Sequence, residues 1–190
     1  VGKVLDELDR LKLRDNTVIV LWSDHGFHLG ENGLWAKTSN FELDARVPVI
    51  ISTPNFNQSQ KTDSLIELLD IYPTLTDLCQ LEGPDNLAGK SLLPILRNPK
   101  ASVKHQALTQ HCRPAYPPNG EDPEAMGYSI RTDRYRYTEW REFHSHAVIA
   151  REIYDHKTDP LETNNVVEDT SVRLKQRLAK QLEAVISRQL

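Results

Sequence analysis

The stretch Ser23-Asp24-His25-Gly26-Phe27-His28-Leu29-Gly30-Glu31-Asn32-Gly33-Leu34-Trp35-Ala36-Lys37 concentrates groups able to do chemistry. A carboxylate beside an imidazole, Asp24 and His25, offers a hard oxygen and a nitrogen to a cation. Gly26, Gly30 and Gly33 let the backbone turn closely around such a centre. Lys37 returns a compact positive charge suited to a bound oxyanion. Together these residues describe a site for an anionic ester. Each also has a plainer reading. An isolated Asp-His-Gly is most often a turn, and Lys37 alone is a solvated lysine. His28 reads as a loop or rim histidine, and Glu42 with Arg46 as a helical ion pair.

The elements before the loop favour the chemical reading. Thr17-Val18-Ile19-Val20-Leu21-Trp22 leads straight into it and reads as a strand buried on both faces, the pattern of a parallel sheet covered by helices. Ligands of such sheets collect beyond the carboxyl ends of the strands, where Asp24 and His25 stand. Upstream, Val1, Val4, Leu5, Leu8 and Leu11 at helical spacing predict an amphipathic helix, closed by a turn at Arg14-Asp15-Asn16. Val47 to Ser52 reads as a second short buried strand. Residues 62–80 read as a helix capped by Thr62 or Asp63, with Leu65, Leu68, Leu69 and Leu75 as its stripe. Pro73 should kink or restart it. Residues 81–126 are rich in Pro, Gly and Asn and read mostly as loop, with a short strand near Gln106 to Gln110.

The pattern then changes. Tyr128 to Thr132 and Tyr135 to Trp140 alternate around Asp133-Arg134, which predicts an antiparallel hairpin. Glu152 to Asp155 can add a strand. Leu174, Leu178, Leu182, Val185 and Ile186 predict a closing helix over about 170–188. The expected architecture is therefore α/β over residues 1–110, followed by a subdomain over 111–190 with a small antiparallel sheet and one long helix.

Composition narrows the function classes. With 190 residues, 38% hydrophobic and 26% charged, the chain can form a packed domain or the tail of a larger one. Its net charge of −4 argues against nucleic acid as a main partner. No apolar run approaches the roughly 18 residues a membrane helix requires. Val1 opens directly in a helical pattern without a signal peptide, so a processed or partial chain is expected. Cys79 and Cys112 give neither zinc spacing nor a disulfide framework.

The order strand, Ser-Asp-His-Gly, Leu-Gly-Glu, Gly-Leu-Trp, Lys37, Phe41-Glu42, Arg46-Val47-Pro48 resembles the type I sulfatases of the alkaline-phosphatase-like superfamily. Asp70-Ile71-Tyr72-Pro73-Thr74-Leu75 and Gly89-Lys90-Ser91-Leu92-Leu93-Pro94 resemble family segments with a scaffold role. Trp35-Ala36-Lys37 followed by Ser39-Asn40-Phe41, and Met126-Gly127-Tyr128-Ser129-Ile130-Arg131-Thr132 with Tyr135-Arg136-Tyr137-Thr138 behind it, are similar to the iduronate-2-sulfatase branch. The resemblance covers nearly the whole chain, as a C-terminal part of such an enzyme. It implies that Asp24 and His25 bind calcium and that Lys37 contacts the sulfate. His28, Trp35 and the loop from Arg113 to Pro118 are then candidates for contacts to the rest of a sulfated sugar, with core packing as the alternative for Trp35.

The resemblance also implies parts that this sequence lacks. The family's nucleophile is a formylglycine hydrate made from a Cys-x-Pro-x-Arg motif, and a pair of aspartates joins the calcium shell. Cys112-Arg113-Pro114-Ala115-Tyr116 places Tyr116 where Arg is needed and lies downstream of the Asp-His loop, so Cys112 is rejected as nucleophile. An N-terminal sulfatase half is the expected partner, and the isolated chain is expected to be inactive. The expected parent activity is sulfate-ester hydrolysis on a 2-sulfated uronic acid or related sugar. A phosphate or phosphonate monoester hydrolase is an alternative, as is a non-catalytic structural or substrate-contacting subunit. A zinc phosphohydrolase would need more histidines than His25 and His28 in the loop. Members of the family are usually exported, periplasmic or lysosomal.

Overall fold

The computed structural model describes residues 1–56 and 59–189. In chain order the elements begin with helix α1 (Gly2–Arg10), strand β1 (Ile19–Trp22) and the two-residue strands β2 (His28–Leu29) and β3 (Trp35–Ala36). The short helix α2 (Glu42–Ala45), strand β4 (Val49–Ser52) and helices α3 (Ile71–Cys79) and α4 (Leu93–Arg97) follow. Strands β5 (Ala107–Arg113), β6 (Ala125–Arg131), β7 (Tyr135–Glu142) and β8 (Val148–Asp155) precede the closing helix α5 (Val172–Gln189). Two compact units interleave in sequence: Val1–Ser23 with Pro48–Val103, and Asp24–Val47 with Lys104–Leu190. Among the described residues no helix is long and apolar enough to cross a membrane.

In the first unit β1 and β4 pair antiparallel, Ile19 opposite Ser52 and Trp22 opposite Val49. This corrects the expectation of a parallel sheet buried on both faces. An apolar run reports a demand for burial but carries no record of strand direction, and here Leu21, Trp22 and Ile50 stay exposed. The predicted helix over 62–80 also shortens. It starts at Ile71, placing Pro73 in the first turn, where its missing N–H costs no helical bond. A capping box between Glu67 and Asp70 precedes it. The two scaffold segments lace together: Asp70 Oδ1 accepts the Lys90 N–H at 2.8 Å, and Thr74 Oγ1 accepts the Leu92 N–H at 2.8 Å. Helix α4 lies in the stretch whose Pro, Gly and Asn content reads as loop, because Pro94 and its Pro and Gly surroundings obscure a helix of so few residues.

The second unit is built on the antiparallel meander β5-β6-β7-β8. Alternation gives this sheet two different faces. Ile130, Tyr137 and Ile153 project from one face and pack on Leu178, Leu182 and Val185 of α5, forming the apolar core. Ser129, Arg136 and Thr138 project from the other, and they are buried too. Segment 24–47 supplies partners to that polar face: Asn40 Nδ2 donates to Gly127 O at 3.1 Å, and Arg136 Nη2 donates to Glu42 Oε2 at 2.5 Å. The hairpin at Asp133-Arg134, the strand at 152–155 and the closing helix all form as the sequence predicts.

Candidate functional site

From Asp24 onward the chemical loop lies in the second unit. Asp24 and His25 are brought together, with His25 Nε2 3.4 Å from Asp24 Oδ2 and the Asp24 side chain 82% exposed. His25 Nδ1 lies 2.7 Å from Gly26 O. A carbonyl accepts only, so Nδ1 carries a proton and Nε2 is the ring nitrogen on the Asp24 side. An exposed carboxylate and an imidazole nitrogen at this spacing are donor types that suit two ligands of a hard cation. They do not fill a calcium shell of about six to eight oxygens.

Gly26 fixes where this pair stands. Its N–H donates to Asp44 O at 2.9 Å and the Phe27 N–H donates to Leu43 O at 3.1 Å. A Cβ on Gly26 would sit 1.7 Å from Leu43 O, so the approach to α2 requires glycine.

Beyond it, β2 and β3 form a small hairpin with Leu29 opposite Trp35. Trp35 is 71% exposed, which removes core packing as its role among the described residues. Phe27 and Leu29 are exposed beside it in the sequence of the loop. Lys37 follows β3 and is also exposed. Its two neighbours have unusual backbones: Ala36 has φ +73° and Thr38 has φ +97°. A β-branched residue at positive φ is an outlier, and such positions persist only where the surroundings over-determine them. Two contacts do so here. The Thr38 carbonyl accepts Arg113 Nη1–H at 3.0 Å and also bonds the His111 ring. Burial, then the Arg113 charge, press the His111 pKa below its ordinary value, against that bond and the Asp44 charge.

His28 departs from the expectation of a substrate-facing side chain. It is fully buried. Its Nδ1 lies 3.2 Å from Glu31 O, its Nε2 lies 3.1 Å from Ser39 Oγ, and its ring meets Phe41 edge-on. Ser39 Oγ in turn donates to Asp44 Oδ2 at 2.6 Å. The types match a serine–histidine–aspartate set, but all three are buried and the serine proton points at the aspartate. This cluster clasps the hairpin to α2.

Arg113 is half-buried, with its guanidinium carbon 5.4 Å from the Trp140 ring centroid. Cys112 lies at the end of β5 with Sγ 3.9 Å from Ala115 O, and neither cysteine is in a disulfide. Glu42 pairs with Arg136 and Arg131, not with Arg46, so the helical ion-pair reading is corrected.

Sequence reading did not pick out the residues that brace the loop. Arg136 Nε donates to Glu162 Oε1 at 2.5 Å, His156 Nε2 lies 2.7 Å from the same oxygen, and Glu162 Oε2 accepts the Glu42 N–H at 2.7 Å. Burial pushes the Glu162 carboxyl up, but the bond to His156, the Arg136 charge and the Glu42 N–H together hold it below the usual range. Glu42, His156 and Glu162 are close enough to hold a cation. The Arg136 guanidinium already bonds both carboxylates, so the cluster is satisfied as an ion-pair network.

A class follows from these features: an alkaline-phosphatase-like fold carrying an adjacent Asp-His pair on a loop that also contains Lys37. The family described as N-sulphoglucosamine sulphohydrolase, C-terminal, matches residues 30–188, and the chain belongs to that sulfatase family. It is 32% identical to iduronate 2-sulfatase of Mus musculus, over 90% of this chain and 42% of that protein. It is 30% identical to arylsulfatase K of Rattus norvegicus, over 98% of this chain and 32% of that protein. The chain thus spans less than half the length of these curated relatives. Among solved structures, it superposes with TM-score 0.82 and 28% identity on a protein in complex with its substrate D-glucosamine-2-N,6-O-disulfate, covering 98% of this chain and 37% of that one. It superposes with TM-score 0.84 and 25% identity on a phosphonate monoester hydrolase from Silicibacter pomeroyi, covering 100% of this chain and 38% of that one.

Proposed function

We propose that the full-length protein containing this chain hydrolyses sulfate esters of sugars, with a 2-sulfated uronic acid or related unit as substrate. The observation that carries the reading is the exposed Asp24–His25 pair on a loop that also presents Lys37, in a chain of the sulfatase family. Asp24 and His25 would hold part of a calcium shell completed by ligands outside this chain. Bound calcium supplies Lewis-acid polarisation of sulfate oxygens. Lys37 offsets the charge that grows on those oxygens in the transition state. The formylglycine nucleophile and the remaining calcium ligands come from an N-terminal sulfatase half, so the 190 residues alone are inactive. Likeness to iduronate 2-sulfatase supports the uronic-acid choice.

The test is sulfate release by the full-length protein and by three variants. Lys37→Ala slows turnover by about 10²–10³, the usual loss for a charge-stabilising group. Asp24→Ala is at least as harmful and weakens calcium binding by calorimetry. Cys112→Ser leaves turnover unchanged. Full activity in Lys37→Ala refutes the assignment.

A second reading, phosphonate or phosphate monoester hydrolysis, is favoured by the likeness to the Silicibacter pomeroyi enzyme. Faster turnover of an aryl phosphonate monoester than of any sulfate ester would establish it.

A further inference from the structure

Lys37 is exposed, and the chain is fastened on both sides of it. Upstream, Ala36 pairs with His28 across the β2–β3 hairpin. Downstream, three successive residues are held. The Thr38 carbonyl accepts Arg113 Nη1–H at 3.0 Å and a ring N–H of His111. Ser39 Oγ donates to Asp44 Oδ2 at 2.6 Å, and Asn40 Nδ2 donates to Gly127 O at 3.1 Å.

The two bonds to Thr38 come from one strand. His111 and Arg113 stand two apart on β5, opposite Gly127 and Ala125 of β6, so they share a face of the sheet and converge on one oxygen. Trp140 steadies Arg113, its ring centroid 5.4 Å from the guanidinium carbon. Nε2 of His111 is buried without a partner, so the proton given to Thr38 sits on Nδ1. Burial, then the Arg113 charge, lower the pKa of the ring. It is therefore neutral at pH 7 and carries that proton alone.

Two donors on one carbonyl fix the peptide after Thr38, while the hairpin fixes Ala36. Lys37 lies between these anchors. Thr38 sits at φ +97°, a conformation that a β-branched residue keeps only under constraint. Released, it relaxes to negative φ. That rotation swings the peptide joining residues 37 and 38, and Lys37 with it, relative to the sheet.

We propose that His111, acting with Arg113, is a positioning residue for Lys37: the two side chains pin the Thr38 carbonyl and hold the strained turn that sets where the lysine stands. The inference deepens the sulfate-ester reading and rests on it for the reaction Lys37 serves. A charge placed in advance needs no reorganisation as the transition state forms. Misplacement by 1 Å costs up to about 10² in rate.

The test is a set of kinetic cycles on the full-length protein with 4-nitrophenyl sulfate. His111→Leu and Arg113→Met each remove one donor. His111→Asn keeps an N–H near the place of Nδ1. Each is measured alone and combined with Lys37→Ala, and thermal unfolding midpoints show which variants fold. His111→Leu and Arg113→Met should each lower kcat about tenfold or more, with KM changed less than about threefold. His111→Asn should stay within about threefold of the unsubstituted protein. In the Lys37→Ala background all three should change kcat less than about twofold, because there is no lysine left to misplace. Crystals of the His111→Leu, Arg113→Met double variant should show Thr38 at negative φ. Full activity in His111→Leu overturns the proposal. So does a loss that persists undiminished without Lys37, failure of His111→Asn to rescue, or Thr38 still at positive φ in the double variant. Absent sulfate release by the unsubstituted protein refutes the sulfatase reading instead. The same cycles are then run on 4-nitrophenyl phenylphosphonate, and the Thr38 angle decides the pinning whatever the turnover.

Discussion

Arg136 on β7 and Glu162 on the segment after β8 form an ion pair in which both side chains are at least 98% buried, Nε to Oε1 at 2.5 Å. Glu162 holds φ +57° and uses its second oxygen to accept the Glu42 N–H. The first turn of α2 is therefore tied to the sheet through one carboxylate. Since α2 in turn carries the carbonyls that hold Gly26 and Phe27, the pair braces the loop of Asp24 and His25 without touching it.

Breaking one side of this pair should be far worse than removing both. Arg136→Met takes the guanidinium from two carboxylates, leaving Glu162 to His156 and Glu42 to Arg131. It should cost about 3 kcal/mol, the low end for a broken buried pair. Combining it with Glu162→Leu should recover part of that loss. Urea unfolding of the full-length protein and the variants measures the difference. Equal stability of Arg136→Met and the unsubstituted protein would contradict the bracing role.

The same carboxylate sets an acid limb. Glu162 is held below the usual range in the folded state, so the folded form prefers it ionised. Its contribution is fully present above the unfolded glutamate pKa of about 4.3 and is lost as pH falls from there through the depressed folded value. Glu162→Gln should lower stability at neutral pH and flatten the fall of the melting temperature below pH 4.3. A limb of unchanged steepness would place the acid sensitivity elsewhere.

Much of this was readable in the sequence, for a definite reason. The hairpin at Asp133-Arg134 and helix α5 are local, and their periods of two and about 3.6 survive in the order of apolar residues. Asp24 and His25 were legible as a pair because they are adjacent in sequence, and the structure keeps their side chains 3.4 Å apart. Alternation through Tyr135 to Trp140 also places Arg136, Thr138 and Trp140 on one face. It could not say that this face is buried, or by what. Its partners Asn40, Glu42 and Glu162 lie far away in the chain, and no local pattern records such a pairing. His28 misled for the same reason: its type suggested chemistry, while its burial comes from Ser39, Asp44 and Phe41 closing over it. The direction of β1 against β4 was equally invisible, because parallel and antiparallel buried strands share the same apolar run.

Trp35 supplies a test of specificity. Its exposed ring stands at the end of the hairpin that presents Lys37, and an indole face suits the apolar face of a sugar. Trp35→Ala in the full-length protein should leave the melting temperature within about 1–2 °C, as an exposed substitution normally costs within about 0.5 kcal/mol. It should change the ratio of kcat/KM among sulfated sugars that differ away from the sulfate. A drop in stability with an unchanged ratio would return Trp35 to a packing role.

Gly26 tests whether the position of Asp24 and His25 depends on backbone contact with α2. An alanine Cβ at 1.7 Å from Leu43 O cannot be accommodated by moving a side chain, since the obstacle is backbone. Gly26→Ala must therefore separate the loop from α2 and break the bonds to Asp44 O and Leu43 O. Two backbone hydrogen bonds are worth about 1–3 kcal/mol together. The global loss of stability should be of that order, because the sheet and α5 do not depend on the loop for their apolar core. The local effect should be larger: amide exchange at Gly26 and Phe27 accelerates, and calcium affinity falls as the Asp24–His25 spacing of 3.4 Å is released. Gly33→Ala is the control, because no atom lies within 4 Å of a Cβ there and its φ of +68° alone is strained. It should cost about 1 kcal/mol without changing calcium affinity. Equal calcium affinities for Gly26→Ala and Gly33→Ala would show that the proposed calcium pair, Asp24 and His25, is placed by something other than the contact with α2.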